Sequence, residues 1–360
     1  MKGSAFFILG GRQRIVPRST SRGQMADAPV TLSQHLASEQ AVLAPGHAPN
    51  VAAVVGRIGR VAAVIAQELA HSALRDRLGY VGGTNVSGDA VKKLDLWGHE
   101  AMLAGLRQSG ACAALVSEES KEPVEIPEAG GVNGLVVCCD PVDGSSNLDV
   151  NGAVGTIFSV RPSRGQVPAG PAALGRGTEQ IAAGYVMYGP GTVLVYTLGR
   201  GSHGFTLNPE TGEFLLTHPE IRIPRRGKVY GINEGNVHAW HPAQRAFVEH
   251  LRTPDKANGR PYSLRYSGAM VADVHRTLLD GGLFMYPLDY TDPAKPKGKL
   301  RLLYEVAPMA MIAEQAGGRA STGTGRALEL VASEYHQRAP IILGSPDDVE
   351  LAEDFHRRAS

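Results

Sequence analysis

The stretch Gly134-Leu-Val-Val-Cys-Cys-Asp-Pro-Val-Asp-Gly-Ser-Ser-Asn147 decides how the rest of the chain is read. Its first part is an unbroken apolar run, which describes a strand buried on both faces rather than one face of an amphipathic element. The strand runs directly into Asp140-Pro141. Open α/β sheets place their ligands at the carboxyl ends of strands, so acids delivered there are candidates for chemistry.

Upstream, Ala113-Ala-Leu-Val116 repeats the pattern and leads into Ser117-Glu118-Glu119. Before it, Val54, Ile58, Val61, Ile65 and Leu69 recur at helical spacing and predict an amphipathic helix. A second helix is expected after Asp95, through Trp97, Met102, Leu103 and Leu106, stopping near Gly110. Downstream, strands are expected at Gly155–Val160, Ala182–Met187 and Thr192–Thr197, with an exposed Gly/Pro/Arg-rich loop from Pro162 to Gly177. Pro219–Arg226 reads as a domain boundary. Beyond it we expect a helix over Ala269–Leu279, a strand at Gly282–Tyr286, and a helix after Glu305 with Pro308 in its first turn and Gly317-Gly318 at its end. A strand Pro340–Leu343 and a last helix, with Ser345 as N-cap before Pro346-Asp347-Asp348, complete the chain.

Composition narrows the function classes. Of 360 residues, 36 are Lys or Arg and 35 are Asp or Glu, a net charge of +1, which argues against a nucleic-acid partner held by bulk charge. Cys112, Cys138 and Cys139 form no CxxC pair and read as small buried side chains in a reducing, cytoplasmic setting. No run of 18 apolar residues is seen, so no membrane span is expected. Residues 1–24 carry Lys2, Arg12, Arg14, Arg18 and Arg22 without an acid, a pattern like an organelle transit peptide, and read as such a targeting segment, a disordered extension, or a misassigned start before Met25. Residues 25–222 are then a helix-plus-sheet domain with most of the acids, and 223–360 an α/β domain.

The chemistry lies in the acids. Asp140 and Asp143 flank a Pro turn and are able to face one centre, as a hard cation such as magnesium requires. Gly144 permits close backbone approach to an anion, and Ser145 and Ser146 add amide and hydroxyl donors. Glu118-Glu119 are adjacent like charges that are awkward to bury without a cation. Asp89 and Asp95 add two more acids, and Glu305 follows the apolar run from Leu300 and needs a partner. Each piece alone is ordinary: Asp-Pro-x-Asp-Gly is turn chemistry, and Glu-Glu-Ser-Lys-Glu could be a solvated loop. Their joint order is what points to metal-assisted phosphate-ester hydrolysis. His99-Glu100 is no zinc-protease motif, since Leu103 stands where the second His would be, and no P-loop or nucleophile elbow is present.

Longer strings carry a resemblance. Gly88-Asp-Ala-Val-Lys-Lys-Leu-Asp95, Val116-Ser-Glu-Glu119, Gly231-Ile-Asn-Glu-Gly235, Arg265-Tyr-Ser-Gly-Ala-Met-Val-Ala-Asp-Val-His-Arg276, Gly298-Lys-Leu-Arg-Leu-Leu-Tyr-Glu305 and Gln337-Arg-Ala-Pro-Ile-Ile-Leu-Gly-Ser345 resemble class I fructose-1,6-bisphosphatases, over about residues 30–357. The resemblance implies a layered αβαβα sandwich of the α/β (α+β) class. It implies Mg2+, two or three ions per site with Mn2+ able to substitute, held by Asp89, Glu118, Asp140, Asp143, Glu305 and the Val142 carbonyl. Glu119 with Asp95 would accept the proton of the attacking water. Asp143, Gly144, Ser145 and Ser146 would meet the 1-phosphate; Asn233, Tyr266 and Tyr286 would meet the 6-phosphate, and Lys299 would lie between the sugar and that phosphate. Arg265 would reach the site of a neighbouring subunit in a homotetramer.

Two departures stand out. Asn236 follows Asn-Glu-Gly where animal members carry Tyr. The family's AMP pocket, a Gly-Thr-Gly-Glu segment and a Lys-Tyr pair, is replaced by Pro45–Asn50 and Gly134-Leu135, so weak or absent AMP inhibition is expected. The loop Pro162–Gly177 has no Cys, unlike the redox loop of the family's plant plastid form, so thioredoxin control of that kind is not expected. Sedoheptulose 1,7-bisphosphate is the alternative substrate, and a catalytically silent phosphosugar-binding regulator the alternative from another class.

Overall fold

The computed structural model describes residues 29–41, 48–84, 90–127 and 134–359. Five layers follow one another. Helices α1 (Leu32–Gln40), α2 (Ala48–Ala70) and α3 (Lys93–Arg107) cover one face of an eight-stranded sheet. Helices α5 (Met270–Asp280) and α6 (Ala307–Gln315) fill the space between that sheet and a five-stranded one. Helices α4 (Pro242–Arg252) and α7 (Pro346–Arg358) cover the outer face of the second sheet. This is the αβαβα sandwich expected from the sequence.

The large sheet runs in the order Glu213–Ile221, Ser202–Asn208, Thr192–Thr197, Ala182–Tyr188, Val154–Pro162, Leu135–Asp143, Cys112–Ser117, Val124–Glu125. All neighbours are antiparallel except Cys112–Ser117 and Leu135–Asp143, which are parallel. Along the central strand Leu135, Val137 and Cys139 face the α1–α3 layer, while Val136 and Cys138 face the α5–α6 layer. Both faces are dry, which is why the sequence shows no polar alternation there. All three cysteines are buried and unpaired. The small sheet has the order Ser263–Leu264, Val229–Gly231, Leu283–Tyr286, Ile341–Gly344, Arg319–Ser321.

Several local expectations are corrected. Asp95 does not precede α3 but sits in its first turn, accepting from the Lys92 N–H at 2.9 Å. Pro162–Gly177 is not simply exposed: Ala169, Ala172 and Ala173 are buried in the inter-sheet core, and Glu125 accepts from the Ala169 and Gly170 amides at 2.8 Å each. Pro219 lies within a strand at the sheet edge, where a missing N–H is tolerated. Ser345 stands at the N-cap of α7 but does not cap it; its hydroxyl donates to the Pro224 carbonyl at 2.6 Å and accepts from the Gly282 N–H at 2.9 Å. Asn50–Ala70 within α2 is, by length and composition alone, apolar enough to cross a membrane. Val51, Val54, Ile58 and Ile65 are nevertheless buried in the core it shares with the sheet.

Candidate active site

The two parallel strands explain how the acids meet. Ser117 lies opposite Cys139, and the Glu118 N–H donates to the Cys139 carbonyl at 3.1 Å, so Glu118 emerges beside Asp140. Strict alternation would send Asp140 and Asp143, three residues apart, to opposite faces. A bulge resolves this: Asp140 pairs with Ile157 but Asp143 with Gly155, and the extra residue at the Pro141 turn resets the pleat. Both carboxylates then point between the sheets. The turn is held by the Thr156 hydroxyl, which donates to the Pro141 carbonyl at 2.7 Å, and by the Val142 N–H, which donates to Asp140 Oδ1 at 3.0 Å.

Glu305 arrives from the other side. It lies on a single π-helical turn, Leu302–Val306, that leads into α6. Such turns in a helix are uncommon and cluster at functional sites. The Arg301 N–H donates to Glu305 Oε2 at 2.6 Å. Oxygens of Asp140, Asp143 and Glu305 lie within 4.8 Å of one another, all three residues buried. Asp143 is further fixed by α5, whose first amides, Met270 and Val271, donate to it, the latter at 2.9 Å.

Burial, reinforced by Glu118, Asp143 and Glu305, pushes the Asp140 carboxyl well above the carboxylate range. Burial also raises Asp143, against the pull of the α5 amides, and Glu305, against the pull of Arg301. Close-packed buried acids of raised affinity for protons are suited to a divalent cation, which would take the place of those protons. Arg301 is the internal cation of the cluster. It ion-pairs with Glu118 and lies 3.7 Å from Glu305 Oε2. It is the partner that the sequence demanded for Glu305 but did not name; its place four residues before Glu305 was the available signal.

Asp95 is raised to about 6, chiefly by burial, with Glu118 adding to the rise and the Lys92 amide and Ser145 hydroxyl opposing it. Its Oδ1 is a buried atom without a hydrogen-bond partner. Glu119 is half-buried next to Glu118, its N–H donating to Ser117 Oγ at 3.3 Å. Gly144 has φ +74°, and a Cβ there would come within 2.5 Å of Ala269 Cβ, so only glycine suits this turn. Ser145 and Ser146 open the short 3-10 helix Ser145–Val150. Asn147 stitches that turn to the segment before α5, donating to the Ala153 and Ser267 carbonyls at 3.0 Å each. Asp89 lies outside the described residues.

Of the remaining expected residues, Asn233, Tyr286 and Lys299 line a cavity of about 200 Å³ together with Asn236, Lys297 and Arg338; Tyr266 is not among its lining residues. Tyr266 hydrogen-bonds with Tyr286, and burial raises its hydroxyl, with Asp143 among the charges that add to the rise. Lys297 and Arg338 were passed over in the sequence. Arg265 does not line this cavity; it is exposed, with Nη1 donating to the Leu264 carbonyl at 2.7 Å.

Residues 30–219 match the family described as fructose-1-6-bisphosphatase, N-terminal domain, and residues 223–357 the corresponding C-terminal domain. The chain belongs to the fructose-1,6-bisphosphatase family. A class 1 fructose-1,6-bisphosphatase of Oleidesulfovibrio alaskensis is 44% identical over 336 residues, covering 92% of this chain and 99% of that protein. One of Synechocystis is 44% identical over 328 residues, with 90% and 92% covered. Among solved structures, the fructose-1,6-bisphosphatase of Leishmania major in holo form superposes with a TM-score of 0.83 at 39% identity, over 92% of this chain and 100% of that one. This fructose-1,6-bisphosphatase family member is thus covered nearly end to end by its relatives.

Proposed function

We propose that this chain hydrolyses the 1-phosphate ester of fructose 1,6-bisphosphate, releasing fructose 6-phosphate and inorganic phosphate. The observation that carries the reading is the adjacency of two subsites. Tyr266 joins Tyr286 of the cation-lined cavity and feels the charge of Asp143 in the acid cluster. A small sugar with a phosphate at each end spans such a pair, and the names of the relatives agree.

Glu118, Asp140, Asp143 and Glu305, with the Val142 carbonyl and Asp89, are the proposed ligands of Mg2+, two or three ions, with Mn2+ able to substitute. The donor set fits: hard oxygens, buried, mutually close and of raised proton affinity. Bound divalent metal supplies charge neutralisation and polarisation of the phosphoryl oxygens. The chain's own residues do the rest. Glu119 with Asp95 accepts the proton of the attacking water, and the raised affinity of Asp95 suits that task near neutral pH. Gly144, Ser145 and Ser146 present amides and hydroxyls to the transferred group, where negative charge grows in the transition state. Asn233, Tyr266, Tyr286 and Lys299 hold the 6-phosphate and orient the sugar. Arg265, exposed and outside this cavity, is the residue that would serve a neighbour's cavity in a homotetramer.

The same reading assigns the enzyme to cytoplasmic carbon metabolism of the gluconeogenic or Calvin type. We place the division between the two domains at 222/223, where the chain leaves the eight-stranded sheet before entering the five-stranded one. Millimolar AMP should leave the rate unchanged; clear inhibition by micromolar AMP would overturn that part. The central test is phosphate release from fructose 1,6-bisphosphate and from sedoheptulose 1,7-bisphosphate, with and without magnesium. Turnover that needs no divalent metal, or none of the fructose ester, would refute the proposal.

A further inference from the structure

Lys297 and Lys299 stand two residues apart on the approach to the strand Leu300–Arg301, a spacing that sends both side chains to one side of an extended chain. Both line the same cavity. Gly298 between them is pressed against the neighbouring strand: a Cβ there would come 2.7 Å from the Ala339 nitrogen and 3.0 Å from the Arg338 carbonyl carbon. Lys297 is also anchored by reciprocal backbone hydrogen bonds with Asp289, at 2.8 and 3.0 Å. Its backbone is therefore fixed on two sides.

The Lys297 ammonium, by contrast, has no hydrogen-bond or ion-pair partner among the described residues. Among the described residues, the one acid lining the cavity is Asp289. Its Oδ1 accepts from the Thr291 N–H at 2.7 Å, and its carboxyl is held down mainly by Thr291, with Lys297 a minor contributor. Lys297 thus lines the cavity beside Lys299 and Arg338, with its own ammonium unengaged and the carboxyl of Asp289 already accepting from Thr291. An ammonium with no partner among the described residues, set among cationic side chains in a cavity, suits a phosphate dianion. Two ammonium groups on flexible stems are able to approach it as separate point charges.

We propose that Lys297 is a binding residue for the second phosphate of the substrate, so that Lys297 and Lys299 grip it from either side of Gly298. This rests on the bisphosphate reading above and adds a cation to it. Because the contact is made equally to bound substrate and to the transition state at the distant 1-phosphate, Lys297 acts on affinity rather than on the chemical step.

The test compares Lys297→Met, Lys297→Arg and, as a control in the same loop outside the cavity, Lys295→Met. In Lys297→Met the KM for fructose 1,6-bisphosphate and the inhibition constant of fructose 6-phosphate should rise together, about 5- to 10-fold, as for one charge-assisted contact at a partly open site. The kcat should change by less than about 2-fold, since uniform binding leaves the chemical step untouched. Lys297→Arg should recover most of the affinity and Lys295→Met should behave as wild type. Unchanged KM and inhibition constant in Lys297→Met would overturn the proposal, as would a fall in kcat alone. Should the wild-type enzyme fail to hydrolyse the bisphosphate, the functional reading falls on its own. Calorimetric titration of fructose 6-phosphate then still judges Lys297, because equal affinities in wild type and Lys297→Met would refute it.

Discussion

Replacing Arg301 with Met should make the protein dependent on divalent metal for its stability. Arg301 is 5% exposed and ion-pairs with Glu118; it also lies beside Glu305, 4% exposed. Methionine keeps most of the stem volume but removes the one positive charge that, among the described residues, ion-pairs with Glu118 and Glu305. Breaking a buried pair by removing one partner costs about 3–5 kcal/mol, because the other charge is left buried. At ~2.1 cal/mol/K per residue, a fold of roughly 330 residues has an unfolding entropy near 0.7 kcal/mol/K, so Tm should fall by about 4–7 °C. Magnesium should restore much of this, since in the wild type it competes with Arg301 for Glu118 and Glu305 and in the variant it does not. Thermal melts in EDTA and in magnesium, at pH 8, read both effects. The pH matters. Asp140, Asp143 and Glu305 have folded-state proton affinities above their unfolded values, so the metal-free fold holds extra protons and loses stability as pH rises. Equal melting temperatures in EDTA, or equal gains on adding magnesium, would refute the role given to Arg301.

Three further outcomes are expected. Glu119→Gln should lower kcat by about 10²- to 10⁴-fold, the usual range for a lost general base, with little change in KM; steady-state kinetics at saturating magnesium decide it. The wild-type rate should fall on the acid side with a midpoint near the Asp95 value of about 6, because the base form is lost there, and the pH–rate profile of Asp95→Asn should lack that limb. Gly144→Ala should destabilise the fold by ~1–3 kcal/mol, measured by urea unfolding, since φ is +74° and the new methyl meets Ala269.

The elements legible in the sequence were those whose pattern is local. Thr192–Thr197 was read to the residue, and the buried run from Leu135 needed no partner to be recognised. What escaped depends on contacts between distant segments. The bulge that turns Asp143 inward is visible only against the register of Val154–Pro162. The packing of Ala169, Ala172 and Ala173 into the core overrides a Gly/Pro-rich stretch that reads as solvent-exposed. Strands Ser202–Asn208 and Glu213–Ile221 went unread because their burial is partial and their composition polar. In the site, carboxylates announced themselves by pairing and position. Arg301 and Lys297 did not, because a single cation among apolar or loop residues is ordinary until its neighbours are known.

The α5 amides that hold Asp143 have a consequence for cutting the chain. Asp140, Asp143 and Glu118 lie in the first 219 residues, while the Val271 amide, Arg301 and Glu305 all come after residue 223. A fragment ending near residue 219 would keep three crowded acids and lose the amide, the guanidinium and the closing carboxylate that make them tolerable. Neither piece is chemically complete, and co-expressed pieces should regain activity only by re-forming the seam between the sheets. Reassembly of a split enzyme would therefore report directly on that seam, with phosphate release as its signal.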